Sequence, residues 1–185
     1  MTSSIKNDSF VWIDLEMTGL DVTKERILQV ACIITDTNLN QKHEGIDLII
    51  HQPNELLNSM NDWCKTTFAK TGLTKAVQNS KLSESEAEKK LYDYIKTYTE
   101  EEGTRYLAGN TVYMDRRFIE VYMPSVHSLL HYRIIDVSTI KELCRHWYPT
   151  KFSSLCNKKL VHKAFDDIKE SIEELQQYKN HIFIN

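Results

Sequence analysis

The sequence predicts an α/β fold on a central mixed sheet flanked by helices, and three observations predict it. Three strand-like runs follow one another near the start, strands and helices alternate after them, and a long amphipathic helix closes the chain. With 185 residues, 41% hydrophobic and 26% charged, and only 5 Gly and 3 Pro, the chain suits one domain, 1–185, with a core of about 10–178. No linker-like stretch, internal repeat or low-complexity tract divides it.

The first strand-like runs are Phe10 to Glu16, Ile27 to Asp36 and Gly45 to His51. The connections 21–26 and 37–42 are rich in turn residues, which predicts an antiparallel meander. Residues 54–78 read as short helices broken at Gly72. Ser83-x-x-Glu86 forms a capping box, in which each side chain satisfies the other residue's free backbone N–H. It opens a helix with Ala87, Leu91, Ile95 and Tyr98 on one face, ending near Gly103. Arg105 to Gly109 is short and apolar like an inner strand, and Met114 to Tyr122 is helical until Pro124 stops it. Arg133 to Val137 predicts a further inner strand, and Thr139-x-x-Glu142 predicts the cap of a helix that Pro149 ends. In the last helix Val161, Phe165, Ile168, Ile172 and Leu175 alternate steps of four and three, which makes one core stripe.

Composition narrows the function. The longest apolar runs, such as 27–35, are too short to span a bilayer, and 1–8 lack a signal-peptide core, so no membrane association is expected. Cys32, Cys64, Cys144 and Cys156 stand singly with no CxxC pair, which predicts reduced thiols and an intracellular compartment. His127 and His131 are four apart but have no third ligand nearby, and read as surface histidines. The net charge is −3, and Lys151, Lys158 and Lys159 are the one local basic cluster. Without a basic stripe, a polyanionic substrate must be short and held partly by metal.

The first strand carries the chemistry. Alternate side chains of a strand face opposite ways, so Asp14 and Glu16 share one face while Val11, Ile13 and Leu15 share the other. Two carboxylates side by side on a buried strand repel and lose hydration, and a divalent cation relieves both costs. Met17-Thr18-Gly19-Leu20 then turns and leaves the acids at an open strand end. Asp115 follows a strand and loop at the start of a helix, and taken alone reads as an N-terminal helix acid. In the last helix, at roughly 100° per residue, Asp167 lies about 110° from the stripe centre and Asp166 about 150°, which favours Asp167 as the inward acid. His162, taken alone, reads as a capping or surface histidine, and a regular helix would put it on the opposite flank.

Several segments occur in a familiar order: Trp12-Ile13-Asp14-Leu15-Glu16-Met17-Thr18-Gly19-Leu20, Gly109-Asn110, Asp115-Arg116-Arg117-Phe118, His131-Tyr132-Arg133, Asp136-Val137-Ser138-Thr139 and Ala164-Phe165-Asp166-Asp167-Ile168, with His162 five residues ahead of Asp167. From about Phe10 to Tyr178 the chain resembles the DEDD exonucleases of the histidine subclass, and most closely the oligoribonuclease family. That resemblance implies a ribonuclease H-like fold and a 3′→5′ exoribonuclease. Such an enzyme degrades dinucleotides and very short RNA (nanoRNA) to nucleoside 5′-monophosphates by two-metal-ion hydrolysis.

Carried over by position, Asp14, Glu16, Asp115 and Asp167 would hold two divalent cations per active site, Mg²⁺ or Mn²⁺, and His162 would act as general base. Leu20 and Trp63 resemble the apolar wedge against which bases stack, although Trp63 taken alone reads as a core residue. Thr111, Arg133 and Ser138 fall where the family caps the 5′ phosphate, and Thr111 keeps the hydroxyl where many members have Ser. Tyr132 resembles the tyrosine that reaches the active site from the partner subunit, which implies a homodimer. Relatives serve the cytoplasm or mitochondria. Phe68 departs from the pattern, standing where relatives often carry a substrate-contacting histidine, and 150–160 also looks unlike the family. Two other readings stay open on sequence: a trimming or proofreading exonuclease for long substrates, and a nucleic-acid-binding module on an inactivated scaffold. The presence of all four acids and His162 speaks against the second.

Overall fold

The computed structural model describes residues 7–155 and 164–183. Five strands, β1 (Ser9–Met17), β2 (Ile27–Asp36), β3 (Ile46–Ile49), β4 (Arg105–Gly109) and β5 (Ile134–Asp136), form one sheet in the order β3-β2-β1-β4-β5. β1 and β2 pair antiparallel, as do β2 and β3, while β1–β4 and β4–β5 are parallel. The expected mixed α/β sheet with a three-strand meander is therefore present. β5 corrects the expectation of a second inner strand. It is a three-residue edge strand, half-buried throughout, because among the described residues only β4 pairs with it.

The period-2 pattern of β1 divides the core. Val11, Ile13 and Leu15 pack with Ile27, Val30, Cys32 and Ile34 of β2 under α4 (Glu84–Tyr98), α5 (Tyr113–Tyr122) and α6 (Pro124–Leu129). Trp12, on the opposite face, packs with Ala31, Ile33 and Ala108 under α7 (Val137–Trp147), α8 (Pro149–Leu155) and α9 (Ala164–His181), and its indole N–H donates to Thr35 Oγ1 at 3.0 Å. A smaller cluster around Leu28 is closed by α1 (Asn54–Ser59), α2 (Asp62–Thr71) and α3 (Leu73–Asn79), and contains Leu57, Met60, Cys64, Phe68, Leu73 and Val77. Gly72 ends α2 in the left-handed region at φ 83°, where a side chain is disfavoured, so the break sits where the sequence places it. Asp14 and Glu16 thus lie on the face that α9 covers.

The capping box of α4 forms as expected, with Ser83 Oγ accepting from Glu86 N. Tyr98 does not complete its buried face. Tyr94 does, with its hydroxyl donating to the Glu44 carbonyl at 2.9 Å. The cap of α7 is Asp136, which accepts from Ser138 N at 2.9 Å, not Thr139. A carboxylate at the end of β5 already satisfies the first turn, so Thr139 becomes the third helical residue. Pro124 and Pro149 do more than end helices: each opens the next one, where a missing N–H costs nothing. His127 and His131 are half-buried rather than free on the surface, because Arg116 donates to the His131 carbonyl at 2.8 Å and lies 3.3 Å from His127 Nε2. Cys32, Cys64 and Cys144 are buried, and Cys156 lies outside the described residues. Among the described residues no helix is long and apolar enough to cross a membrane.

The stripe of α9 is rotated from its expected position. Ala164, Ile168, Ser171 and Tyr178 are buried, while Phe165, Ile172 and Leu175 flank them half-buried, and Val161 lies outside the described residues. A small alanine and a serine let the helix approach the sheet closely on that side. The rotation brings Asp167 to roughly 60° from the buried centre, nearer the sheet than the apolar pattern indicates. Ile168, only 2% exposed, fastens this face. Ile168→Ala is expected to lower unfolding stability by about 2–4 kcal/mol in urea titration. A loss below about 1 kcal/mol would contradict the docking of α9 on the sheet.

Candidate active site

The ends of three parallel strands build the site. β1 carries Asp14 and Glu16 to its C-terminal end, where the register shifts between Glu16 and Met17. An irregularity there re-aims the last acid and ends the pairing. The turn after β4 supplies Asn110–Thr111, and the first turn of α7, which follows β5 directly, supplies Ser138 at the same end of the sheet, where open α/β sheets place their ligands.

Across the face, α9 contributes Asp167, and one oxygen from each of Asp14, Glu16 and Asp167 lies within 4.8 Å of the others. Asp166 is not in this group. Asp115, in the first turn of α5, is 6% exposed and stands beside the three rather than among them. Its Oδ1 accepts the N–H of Leu15 at 2.9 Å, which ties the acid to the strand between Asp14 and Glu16. His162 lies outside the described residues.

Burial, with the charges of Asp14 and Asp167, pushes Glu16 up to about 8. Asp115 is held well above the usual carboxylate range, first by burial and then by the charge of Asp14, against the opposing Leu15 N–H. Such a cluster binds protons in place of a cation and gives them up when one arrives. All its donors are carboxylate oxygens, a set that fits a hard divalent ion.

The sequence-predicted wedge is exposed. Leu20 is 64% and Trp63 61% exposed, which overturns the core reading of Trp63. Leu20 rides on a tightly tied turn: buried Thr18 donates to the Glu25 carboxylate and accepts from Arg26 N at 3.0 Å, while the Arg26 guanidinium stacks 4.6 Å over Tyr122. Trp63 meets Phe68 edge-on, with ring centroids 6.4 Å apart. Phe68 itself is 2% exposed in the satellite core, so the departure from the family pattern places an apolar ring inside rather than at the site.

At the far side, Thr111 and Ser138 hydroxyls lie 3.1 Å apart, and Asp136 Oδ1 accepts from the backbone N–H of both residues. Thr111 adopts φ 55°, a conformation costing about 1 kcal/mol that persists because Asp136 holds its N–H. Arg133 and Tyr132 are exposed, with the guanidinium 5.2 Å from the Tyr132 ring, and that ring packs 4.3 Å from His131.

With this geometry in place, the comparisons are decisive. The exonuclease family model RNase_T matches residues 11–175. The chain is 53% identical over 173 residues to the mitochondrial oligoribonuclease of Bos taurus, covering 94% of this chain and 73% of that protein. It is 49% identical over 183 residues to the oligoribonuclease of Actinobacillus pleuropneumoniae, covering 99% and 98%. The chain belongs to the oligoribonuclease family. Exonuclease I from Methylocaldum szegediense shares the fold, with a TM-score of 0.72 at 18% identity, and this chain spans 95% of its own length but 41% of that protein. The oligoribonuclease family falls within a divalent-metal-dependent exonuclease class, in keeping with the acidic cluster.

Sequence reasoning missed the supports of the site. Arg26 and Tyr122, which tie down the Leu20 turn, carry no local signature, because they are remote in sequence. Ser171 left no signal either, because it stands outside the apolar stripe of the sequence and only the rotated helix buries it.

The Glu16 shift has a measurable sign. Without metal, the folded protein keeps a proton that the unfolded chain loses above about 4.5, so this group's stabilisation is lost as pH rises from there to about 8. A cation that replaces the proton reverses the trend. Thermal melts are therefore expected to show MnCl2 raising Tm more at pH 8 than at pH 5, and Glu16→Gln is expected to shrink that difference. An equal Mn²⁺ effect at both pH values would contradict the shared anionic cluster.

Proposed function

We propose that the chain acts as a single exonuclease domain, a metal-dependent 3′→5′ exoribonuclease that degrades dinucleotides and very short RNA to nucleoside 5′-monophosphates. The convergence of Asp14, Glu16 and Asp167 within 4.8 Å, with Asp115 bonded to the same strand, is the observation that carries this reading. Family membership supplies the activity to which the cluster belongs.

In this reading Asp14, Glu16, Asp115 and Asp167 hold two divalent cations, Mg²⁺ or Mn²⁺. When bound, such a pair activates the nucleophile and stabilises the leaving oxygen of an in-line phosphoryl displacement. His162 takes the proton of the attacking water, a task suited to an imidazole that titrates near neutrality, so activity falls on acidification. Leu20 and Trp63 stack on the bases without reading them, which suits a degradative enzyme. Thr111, Arg133 and Ser138 hold the 5′ phosphate through hydroxyl and guanidinium donors. The exposure of Tyr132, beside Arg133, supports a role for this ring in the active site of a partner subunit, with a homodimer as the active form. A net charge of −3 supports a short substrate, whose few phosphates need no basic groove.

Asp14→Asn and Asp167→Ala are each expected to lower diribonucleotide hydrolysis on the order of 10³-fold while the fold survives by circular dichroism. Tenfold or smaller losses would remove the metal assignment. In a length series of 5′-labelled RNAs, the dimer is expected to be cleaved at least about tenfold faster than a decamer, a margin of about 1.4 kcal/mol in transition-state binding. Equal rates would turn the reading towards a trimming exonuclease for long substrates.

A further inference from the structure

Between the 5′-phosphate cap and Asp167 lies a side chain that neither role uses. Asn110 follows β4, and its carboxamide reaches both neighbouring helices. The oxygen accepts from Ser138 Oγ at 3.0 Å, and the nitrogen donates to Ser171 Oγ at 2.7 Å and to Glu174 Oε2 at 3.3 Å. Ser171 Oγ in turn donates to the backbone carbonyl of Asp167 at 2.8 Å. Glu174 is fixed as well: Oε1 accepts from the Tyr178 hydroxyl at 2.8 Å and pairs with Lys141 Nζ at 3.5 Å, on the same helix as Ser138.

The carboxamide has one tenable orientation. Reversed, it would aim its oxygen at the Glu174 carboxylate and lose both donations. Asn110 Oδ1 therefore takes the Ser138 proton, and of the Thr111–Ser138 pair it is Thr111 that donates. A phosphate at the cap draws on that same proton, so its arrival is felt by Ser138 and by Asn110. From there Ser171 continues the path to the carbonyl of Asp167.

We infer that Asn110 is a positioning residue that couples occupancy of the 5′-phosphate cap to cation binding at Asp167, by locking α7 and the first turns of α9 onto the end of β4. This rests on the cap and metal roles proposed above. Coupling of this kind is reciprocal: if a 5′ phosphate strengthens the cation site, the cation strengthens 5′-phosphate binding by the same factor.

The test measures binding rather than turnover. Affinities for a diribonucleotide with a 5′ phosphate and for one with a 5′ hydroxyl are determined by calorimetry in EDTA and in CaCl2, with chromatography confirming that the ligand stays intact. In the unaltered protein, Ca²⁺ is expected to tighten the phosphorylated ligand about fivefold or more beyond its effect on the hydroxyl ligand. In Asn110→Ala that excess falls to about onefold. Ser171→Ala, a smaller deletion that leaves the cap contacts in place, is expected to lose the excess too while keeping its 5′-phosphate preference in EDTA. An excess that persists in both variants overturns the inference. A 5′-phosphate preference in the unaltered protein with no excess in Ca²⁺ overturns the coupling alone, whereas no preference under either condition overturns the cap reading and the coupling with it.

Discussion

Mutual repulsion among carboxylates held out of water is the constraint on which the rest of this structure depends. Asp14, Glu16 and Asp167 share a space of 4.8 Å, Asp115 stands buried beside them, and among the described residues no arginine or lysine is hydrogen-bonded to Asp115 in compensation. Such a cluster destabilises the fold that contains it, and a chain retains it only where a bound cation or proton is part of its working state. The surrounding architecture reads as what is needed to hold it. β1 lies at the centre of the sheet with partners on both sides, and its alternation anchors Val11, Ile13 and Leu15 in one core layer while its other face presents the acids. The N–H of Leu15 then fixes Asp115 without moving the strand.

The turns around Thr111, Asp136 and Leu20 follow the same logic of short, over-determined connections. Asp136 is at once the end of β5, the cap of α7 and the acceptor for Thr111 N, so one carboxylate fixes the backbone at both Thr111 and Ser138 and holds Thr111 in its uncommon conformation. Strain localised at a functional turn is affordable when the two elements around it are fixed independently. Likewise the Leu20 turn is closed by Thr18, Glu25 and Arg26, so an exposed apolar residue is presented in a fixed place. A residue presented this way would lose little conformational entropy on meeting a base, the role proposed for Leu20.

How much was legible in the sequence depended on the range of the interaction. β2, the α4 capping box and the Gly72 break follow from local periodicity and backbone chemistry, and the structure holds them where the pattern puts them. The facing of Asp14 and Glu16 away from Val11, Ile13 and Leu15 is likewise a property of one strand. Interactions between elements were not legible. Asp136 displaced Thr139 as a helix cap because β5 delivered a carboxylate to that point, and β5 is an edge because no further strand among the described residues pairs with it. The face of α9 turned towards Asp167 because Ala164 and Ser171 permit close approach, which an apolar moment does not weigh. The roles given to individual site residues came from family resemblance, not from periodicity, and the grouping of three of the four acids is what the fold adds.

The most direct measurement of the central claim is an anomalous diffraction map from crystals soaked in MnCl2. The account requires two manganese peaks about 4 Å apart, bounded by the carboxylates of Asp14, Glu16, Asp115 and Asp167. Density that avoids this cluster, or a cluster whose acids remain together at high occupancy of manganese elsewhere, would contradict it.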